Sequence, residues 1–152
     1  MSPDKNFFDF IKKCEACKLK SYQDSAGIWT IGVGSILYAD GRHVKQGDTI
    51  TQEQADEMLA DEVSKKCHGL AVALAGVTLT QNQYNALVSF AFNVGLGGLL
   101  GSTLLKKVKA NPSDPSIRDA FMMWDKARVD GNLVEVQGLK NRRKAEADLY
   151  FS

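Results

Sequence analysis

An α+β fold, mainly helical, with a small N-terminal β-sheet lobe and a larger helical C-terminal lobe, is predicted by two patterns in this 152-residue sequence. From Leu19 to about Gly47, short apolar runs (Tyr22; Ile28-Trp-Thr-Ile; Ile36-Leu-Tyr) alternate with glycines at 27, 32, 34, 41 and 47, as in a small antiparallel sheet with tight turns. Beyond residue 50, capping signals followed by apolar residues at helical spacing recur to the end of the chain. The length suits one good core, or two small lobes sharing one. The chain therefore reads as a single domain over 1–152: a small α/β lobe about 15–60, a linking helical region about 61–79, and a helical lobe about 80–152 packed with a helix over 3–14.

Each element has a local reason. Ser2-Pro3 is a helix start, with Pro at the first position and Phe7, Ile11 and Cys14 at helical spacing behind it. Asp40-Gly41 is the clearest hairpin turn of the sheet region. Thr51-Gln-Glu-Gln54 forms a capping box, after which Ala55, Met58, Leu59, Glu62 and Val63 line one mostly apolar helix face. A second box, Thr80-Gln-Asn-Gln83, starts a strongly apolar helix through Tyr84, Leu87, Val88 and Ala91, suited to the centre of a helical lobe. Gly95, Gly97, Gly98 and Gly101 are expected to break it. Ser102 can cap a helix over Thr103 to Val108, Asp114-Pro115 opens a segment with Ile117, Ala120, Phe121 and Trp124, and a final helix runs from about Leu139 to Leu149.

Composition narrows the functional classes. The net charge of +1 conceals an asymmetry: residues 1–80 carry nine Lys/Arg against eleven Asp/Glu, and 81–152 carry ten against seven. A basic C-terminal half favours approach to an anionic polymer. No stripe of Lys and Arg interleaved with exposed aromatics is present, so nucleic acid is not the expected partner. The longest apolar or glycine run, Gly69 to Val77, is too short to cross a bilayer, and Asp4, Asp9, Lys12 and Lys13 interrupt any signal-peptide pattern. Synthesis in the cytoplasm without stable membrane insertion is expected.

Three residues carry the chemical signal. Glu15, then Asp24 after eight intervening residues, then Thr30 after five more, place two carboxyls and a hydroxyl within one short segment. A helix ending near Glu15 would feed a hairpin bearing the other two. Glycosidic-bond cleavage needs two such carboxyls: one protonated to donate to the leaving oxygen, one ionised to activate water or stabilise charge at the sugar carbon.

Around this spacing stand Lys20-Ser-Tyr-Gln-Asp24, Trp29-Thr-Ile-Gly-Val-Gly34, Gly47-Asp-Thr-Ile-Thr51, Leu79-Thr-Gln-Asn-Gln-Tyr-Asn-Ala-Leu87, Phe92-Asn-Val-Gly95, Gly101-Ser-Thr-Leu-Leu105 and Gly138-Leu-Lys-Asn-Arg-Arg-Lys-Ala-Glu146. Each is weak alone. In this order and spacing they resemble the phage-type lysozymes of glycoside hydrolase family 24 over nearly the whole chain. The resemblance implies a lysozyme-like two-lobed fold with a cleft between lobes, and a muramidase that hydrolyses the β-1,4 bond between N-acetylmuramic acid and N-acetylglucosamine in peptidoglycan. It implies Glu15 as the acid, Asp24 as the carboxylate that orients or deprotonates water, Thr30 holding the same water, and inversion at the sugar carbon. It further implies that Ile36, Phe92, Asn93, Ser102 and Thr103 contact substrate, and that Arg142 or Arg143 pairs with Glu15. No cofactor and no metal are implied. A monomer is expected, with a holin to release it from the host cytoplasm to the periplasmic wall.

Two positions depart from the family pattern: Ala16 stands where Gly usually follows the acid, and Ser35 stands after Gly34 where relatives generally carry His. Neither touches Glu15, Asp24 or Thr30. Cys14, Cys17 and Cys67 read as small packing residues with free thiols, because an odd count and cytoplasmic synthesis disfavour disulfides. Two other readings of the chain are a lytic transglycosylase, which needs an acid but no water-activating Asp, and a lysozyme-like module that binds glycan without catalysis.

Overall fold

Asp4, rather than Pro3, starts the first helix. In this computed structural model, which describes residues 1–152, α1 runs Lys5–Cys14 and the Asp4 carboxylate accepts the Phe7 N–H at 3.2 Å. An aspartate cap satisfies one of the free N–H groups of the first turn, a demand that Pro at the first position leaves unmet. The chain divides into two compact units, residues 8–65 and residues 1–7 together with 66–152.

In the unit 8–65, β1 (Lys18–Gln23) pairs antiparallel with β2 (Trp29–Gly32), and the register places Tyr22 opposite Thr30 and Gln23 opposite Trp29. The expected third strand at Ile36-Leu-Tyr38 does not form. The segment makes only one isolated bridge, Leu37 with His43, because the Tyr38–Arg42 turn follows at once and leaves no length for a ladder. The Asp40-Gly41 turn is present, with Gly41 at φ +86°. Ile11, Ile31, Val33, Val44, Ala55, Leu59 and Val63 are buried. Gly32 has φ +63°, and a Cβ there would lie 3.5 Å from Ile50 Cδ1, so this corner requires its glycine for backbone reasons more than for space.

The helix α2 (Gln52–Ala73) starts at the expected capping box: the Gln54 N–H donates to Thr51 Oγ1 at 3.1 Å and the Thr51 N–H to Gln54 Oε1 at 2.9 Å. It runs continuously for 22 residues, so the expected linking region about 61–79 is in part the same helix.

The larger unit is organised on α3 (Gln81–Val94), whose residues 84–91 are all buried. Thr80 and Gln83 form its reciprocal capping box. α3 packs on α7 (Gln137–Tyr150). Phe90 meets Phe121 and Trp124 edge-on at 5.9 and 5.6 Å, and Phe121 meets Tyr150 at 5.8 Å, a geometry aromatic rings prefer to face-to-face stacking.

Two expectations change here. The glycines at 97 and 98 do not end helical structure: Gly95 at φ +101° closes α3, and α4 (Leu96–Leu100) follows directly. A Cβ on Gly98 would lie 2.7 Å from Val94 Cγ1, so that glycine permits close approach instead of breaking the chain. After α5 (Thr103–Ala110) and α6 (Ile117–Met122) comes an unexpected hairpin, β3 (Lys126–Val129) with β4 (Asn132–Glu135). Its turn is Asp130-Gly131, with φ +51° and +81°. This is the residue pair that a two-residue turn with both φ positive prefers.

Candidate active site

Glu15, Asp24, Thr30 and Ile36 all lie in the unit 8–65. Glu15 is the first residue beyond α1; its N–H still donates to Ile11 O at 2.8 Å, so the helix end sets its position, and it is half-buried. Cys14 and Cys17 on either side carry free thiols, and Cys17 is exposed, with Gln52 Nε2 at 3.8 Å from its sulfur.

Asp24 closes the end of β1. Its Oδ1 accepts the N–H of Ala26 at 2.8 Å and of Ile28 at 2.9 Å, while its own N–H donates to Ile28 O and its carbonyl accepts the Gly27 N–H. Gly27 adopts φ +79°, which the tight turn needs. The aspartate therefore holds its turn through one oxygen, and the turn makes no use of Oδ2. Thr30 is buried on β2, and its Oγ1 donates to Ile28 O at 3.0 Å. With its proton committed, this hydroxyl oxygen is left as an acceptor. Asp24 Oδ2 and Thr30 Oγ1 thus both hang from one five-residue turn, 24–28, and its strand.

Tyr22 stands opposite Thr30 in the β1–β2 register. Burial pushes its phenol above the ordinary 10, and the charges of Glu15 and then Asp24 push it further in the same direction. Both acids thus lie within electrostatic reach of one hydroxyl. In the sequence Tyr22 reads as a strand position; its further signal is its place two residues before Asp24. Ser35 is buried with its backbone bridged to Ile31, and its hydroxyl has no partner in the chain. Ile36 is exposed.

The remaining residues singled out in the sequence lie in the larger unit. Phe92 is half-buried, and Asn93 and Thr103 are exposed. Ser102 is buried and caps α5: it donates to Leu99 O at 2.6 Å and accepts the Leu105 N–H at 3.1 Å. Those bonds use the hydroxyl locally as a helix cap. Arg142 and Arg143 are both buried around Glu146. Arg143 Nε lies 2.7 Å from Glu146 Oε1, Arg142 Nε lies 3.2 Å from Oε2, and the Ser89 hydroxyl donates to the same Oε2. Arg143 also donates to Asn93 Oδ1 at 2.8 Å and stacks over the Phe90 ring. Burial raises the Glu146 carboxyl above its ordinary range, and the two guanidiniums and the Ser89 hydroxyl oppose that rise. No group of three or more His, Cys, Asp or Glu side chains is placed to hold a metal ion.

A carboxyl at a helix end, a carboxylate fixed by its own turn and a hydroxyl on the adjoining strand make a candidate glycoside hydrolase site, on a lysozyme-like α+β fold. Comparison with known proteins agrees. Residues 12–146 match the phage lysozyme family, and the chain belongs to it. It is 42% identical to an endolysin of Acyrthosiphon pisum secondary endosymbiont phage 1, over 93% of this chain and 92% of that protein, and 38% identical to the endolysin of Salmonella phage P22, over 93% and 92%. It superposes on the structure of an endolysin from Escherichia coli O157:H7 phage FAHEc1 with a TM-score of 0.93 at 41% identity, covering 99% of this chain and 93% of that one. The chain is a glycoside hydrolase of the lysozyme type, and peptidoglycan is its substrate class.

Proposed function

We propose that this muramidase hydrolyses the β-1,4 bond between N-acetylmuramic acid and N-acetylglucosamine with Glu15 as general acid, and with Asp24 and Thr30 holding the attacking water. The observation that carries the assignment is the committed hydrogen bonding of the turn. Asp24 Oδ1 is occupied by two backbone N–H groups and the Thr30 hydrogen by Ile28 O, which leaves Asp24 Oδ2 and Thr30 Oγ1 as acceptors for an attacking water. A water that donates one hydrogen to each presents a lone pair to the sugar carbon, and its proton to Asp24 moves as the bond forms. Glu15 delivers its proton to the departing glycosidic oxygen.

Such a water attacks the face opposite the leaving group, which inverts the anomeric centre. Inverting pairs stand roughly 6.5–9.5 Å apart, against roughly 5–5.5 Å for retaining pairs, because the water must fit between carboxylate and sugar. Ile36, Phe92, Asn93, Ser102 and Thr103 remain our proposed glycan contacts. Delivery to the wall belongs to the same proposal: no helix is long and apolar enough to cross a membrane, and we assign passage to a holin.

Glu15→Gln tests the assignment. The amide cannot donate the leaving-group proton, so clearing of permeabilised Gram-negative cells should fall by about 10²-fold or more with the fold intact. A variant that keeps more than roughly a tenth of the activity would remove Glu15 from the acid role.

A further inference from the structure

Tyr22 was not among the residues assigned a role, yet four observations place it in the reacting region. In the β1–β2 register it stands directly opposite Thr30, and residues directly opposite in an antiparallel pair project to the same face. Asp24 follows two positions later, and Asp24 N–H to Ile28 O extends the same pairing, so the strand alternation returns Asp24 to that face as well. One face of the Tyr22 ring is covered by the Lys18 ammonium at 4.8 Å from its centroid, which fixes the ring plane and leaves the hydroxyl at the far end. Finally, the phenol feels both Glu15 and Asp24 through space while donating a hydrogen bond to neither, and it keeps its proton well past neutrality.

A neutral hydroxyl within electrostatic reach of two acids and bonded to neither is a donor waiting for an acceptor. Thr30 and Asp24 offer only acceptors to what binds there, and a saccharide presents acceptor oxygens on its hydroxyl, acetamido and glycosidic groups. We propose that Tyr22 is a substrate-contacting residue whose hydroxyl donates a hydrogen bond to an oxygen of the saccharide bound across Glu15 and Asp24. This rests on the assignment of those two acids above. The bond orients the sugar between acid and base, and does so without adding a third negative charge to the site.

Tyr22→Phe keeps the ring and the Lys18 contact and removes only the hydroxyl. On soluble glycan strands of alternating N-acetylglucosamine and N-acetylmuramic acid, kcat/KM should fall about tenfold, with both limbs of the pH profile unmoved and the melting temperature unchanged. A second measurement is independent of turnover. In a Glu15→Gln background, adding Tyr22→Phe should weaken binding of the same strands by a similar factor. A loss of activity smaller than about threefold would overturn the proposal, and so would a displaced pH limb, which would show the hydroxyl acting on the carboxylates instead of the sugar. A large fall in melting temperature would assign it to structure and overturn the proposal equally. Glu15→Gln alone separates the two ideas. If it stays active, the site assignment itself fails; if it is inactive while Tyr22→Phe works normally, only the role of Tyr22 fails.

Discussion

Glu146→Ala should be among the most destabilising single substitutions in the larger unit, and the structure supplies its own control on the same helix. Glu146 is fully buried with Arg143 at 2.7 Å and Arg142 at 3.2 Å, both also buried. Asp148, two residues later, pairs with Arg118 at the same 2.7 Å, but with side chains 56% and 42% exposed. The lengths match, so burial decides the outcome. Removing one partner of a buried pair costs about 3–5 kcal/mol, because the guanidiniums stay buried while this carboxylate is lost to them. Asn93, Ser89 and the Phe90 ring still contact the two arginines, which places the expected loss at the lower end, about 3 kcal/mol. For a chain of this length each kcal/mol moves the melting temperature by roughly 2–4 °C, so a fall of roughly 6–12 °C is expected. Asp148→Ala should cost under about 1 kcal/mol, as exposed pairs do. Urea denaturation and thermal scans of the two variants, followed by circular dichroism, make the comparison. If Glu146→Ala costs no more than Asp148→Ala, the buried network does not hold α7 in the way described.

Three further outcomes follow from particular contacts. Ser102→Ala should cost about 1–2 kcal/mol by urea denaturation, because it strips the cap from Leu105 N–H and frees Leu99 O; no loss would contradict the cap. All four tyrosines are raised above 10, with Tyr38 pushed to about 12 by burial and then by its hydrogen bond to Asp48, and Tyr150 to about 12 by burial. A phenol raised on folding adds stability that is complete below pH 10 and disappears as pH climbs through about 12, so alkaline unfolding and phenolate absorbance should rise together in that window; a folded protein that titrates its tyrosines at or below 10 would contradict this. The thiols at Cys14, Cys17 and Cys67 are free, and specific activity should be equal with and without reductant; a reversible change of about tenfold or more would make the pair beside Glu15 a redox control.

What could be read from the sequence depended on whether the deciding interaction was local. Capping boxes at Thr51 and Thr80 satisfy their own helix ends with residues three positions away, so their signals are complete within the sequence. The spacing of Glu15, Asp24 and Thr30 was legible for the same reason: a helix end, an aspartate turn and a strand lie within one short stretch. Where the deciding partner is distant or the pattern is ambiguous, the signal fades. Ser102 reads in the sequence as a helix cap and a sugar contact at once, and its bonds to Leu99 and Leu105 show the cap. Gly98 looked like a breaker, because the Val94 side chain that demands a glycine could not be placed beforehand. The hairpin 126–135 went unseen although Asp130-Gly131 announces it. Its strands are only four residues each and largely exposed, with Val129, Leu133 and Val134 facing solvent, so no alternation between polar and apolar marks them. Tyr22 was overlooked because a tyrosine in a strand needs no further explanation until the register sets it opposite Thr30.

The most direct test of the central claim is the product analysis of wild type and Asp24→Asn on peptidoglycan. If Asp24 Oδ2 takes the proton of a water held with Thr30, the variant should lose about 10²-fold or more in rate while its turn, held through Oδ1, stays folded. Mass spectrometry of wild-type digests should then show reducing N-acetylmuramic acid ends, and rapid-quench NMR should find them initially in the α configuration. Predominantly 1,6-anhydro ends with an active Asp24→Asn variant would contradict hydrolysis by this turn, and reducing ends that form first as β would leave hydrolysis standing and reject inversion.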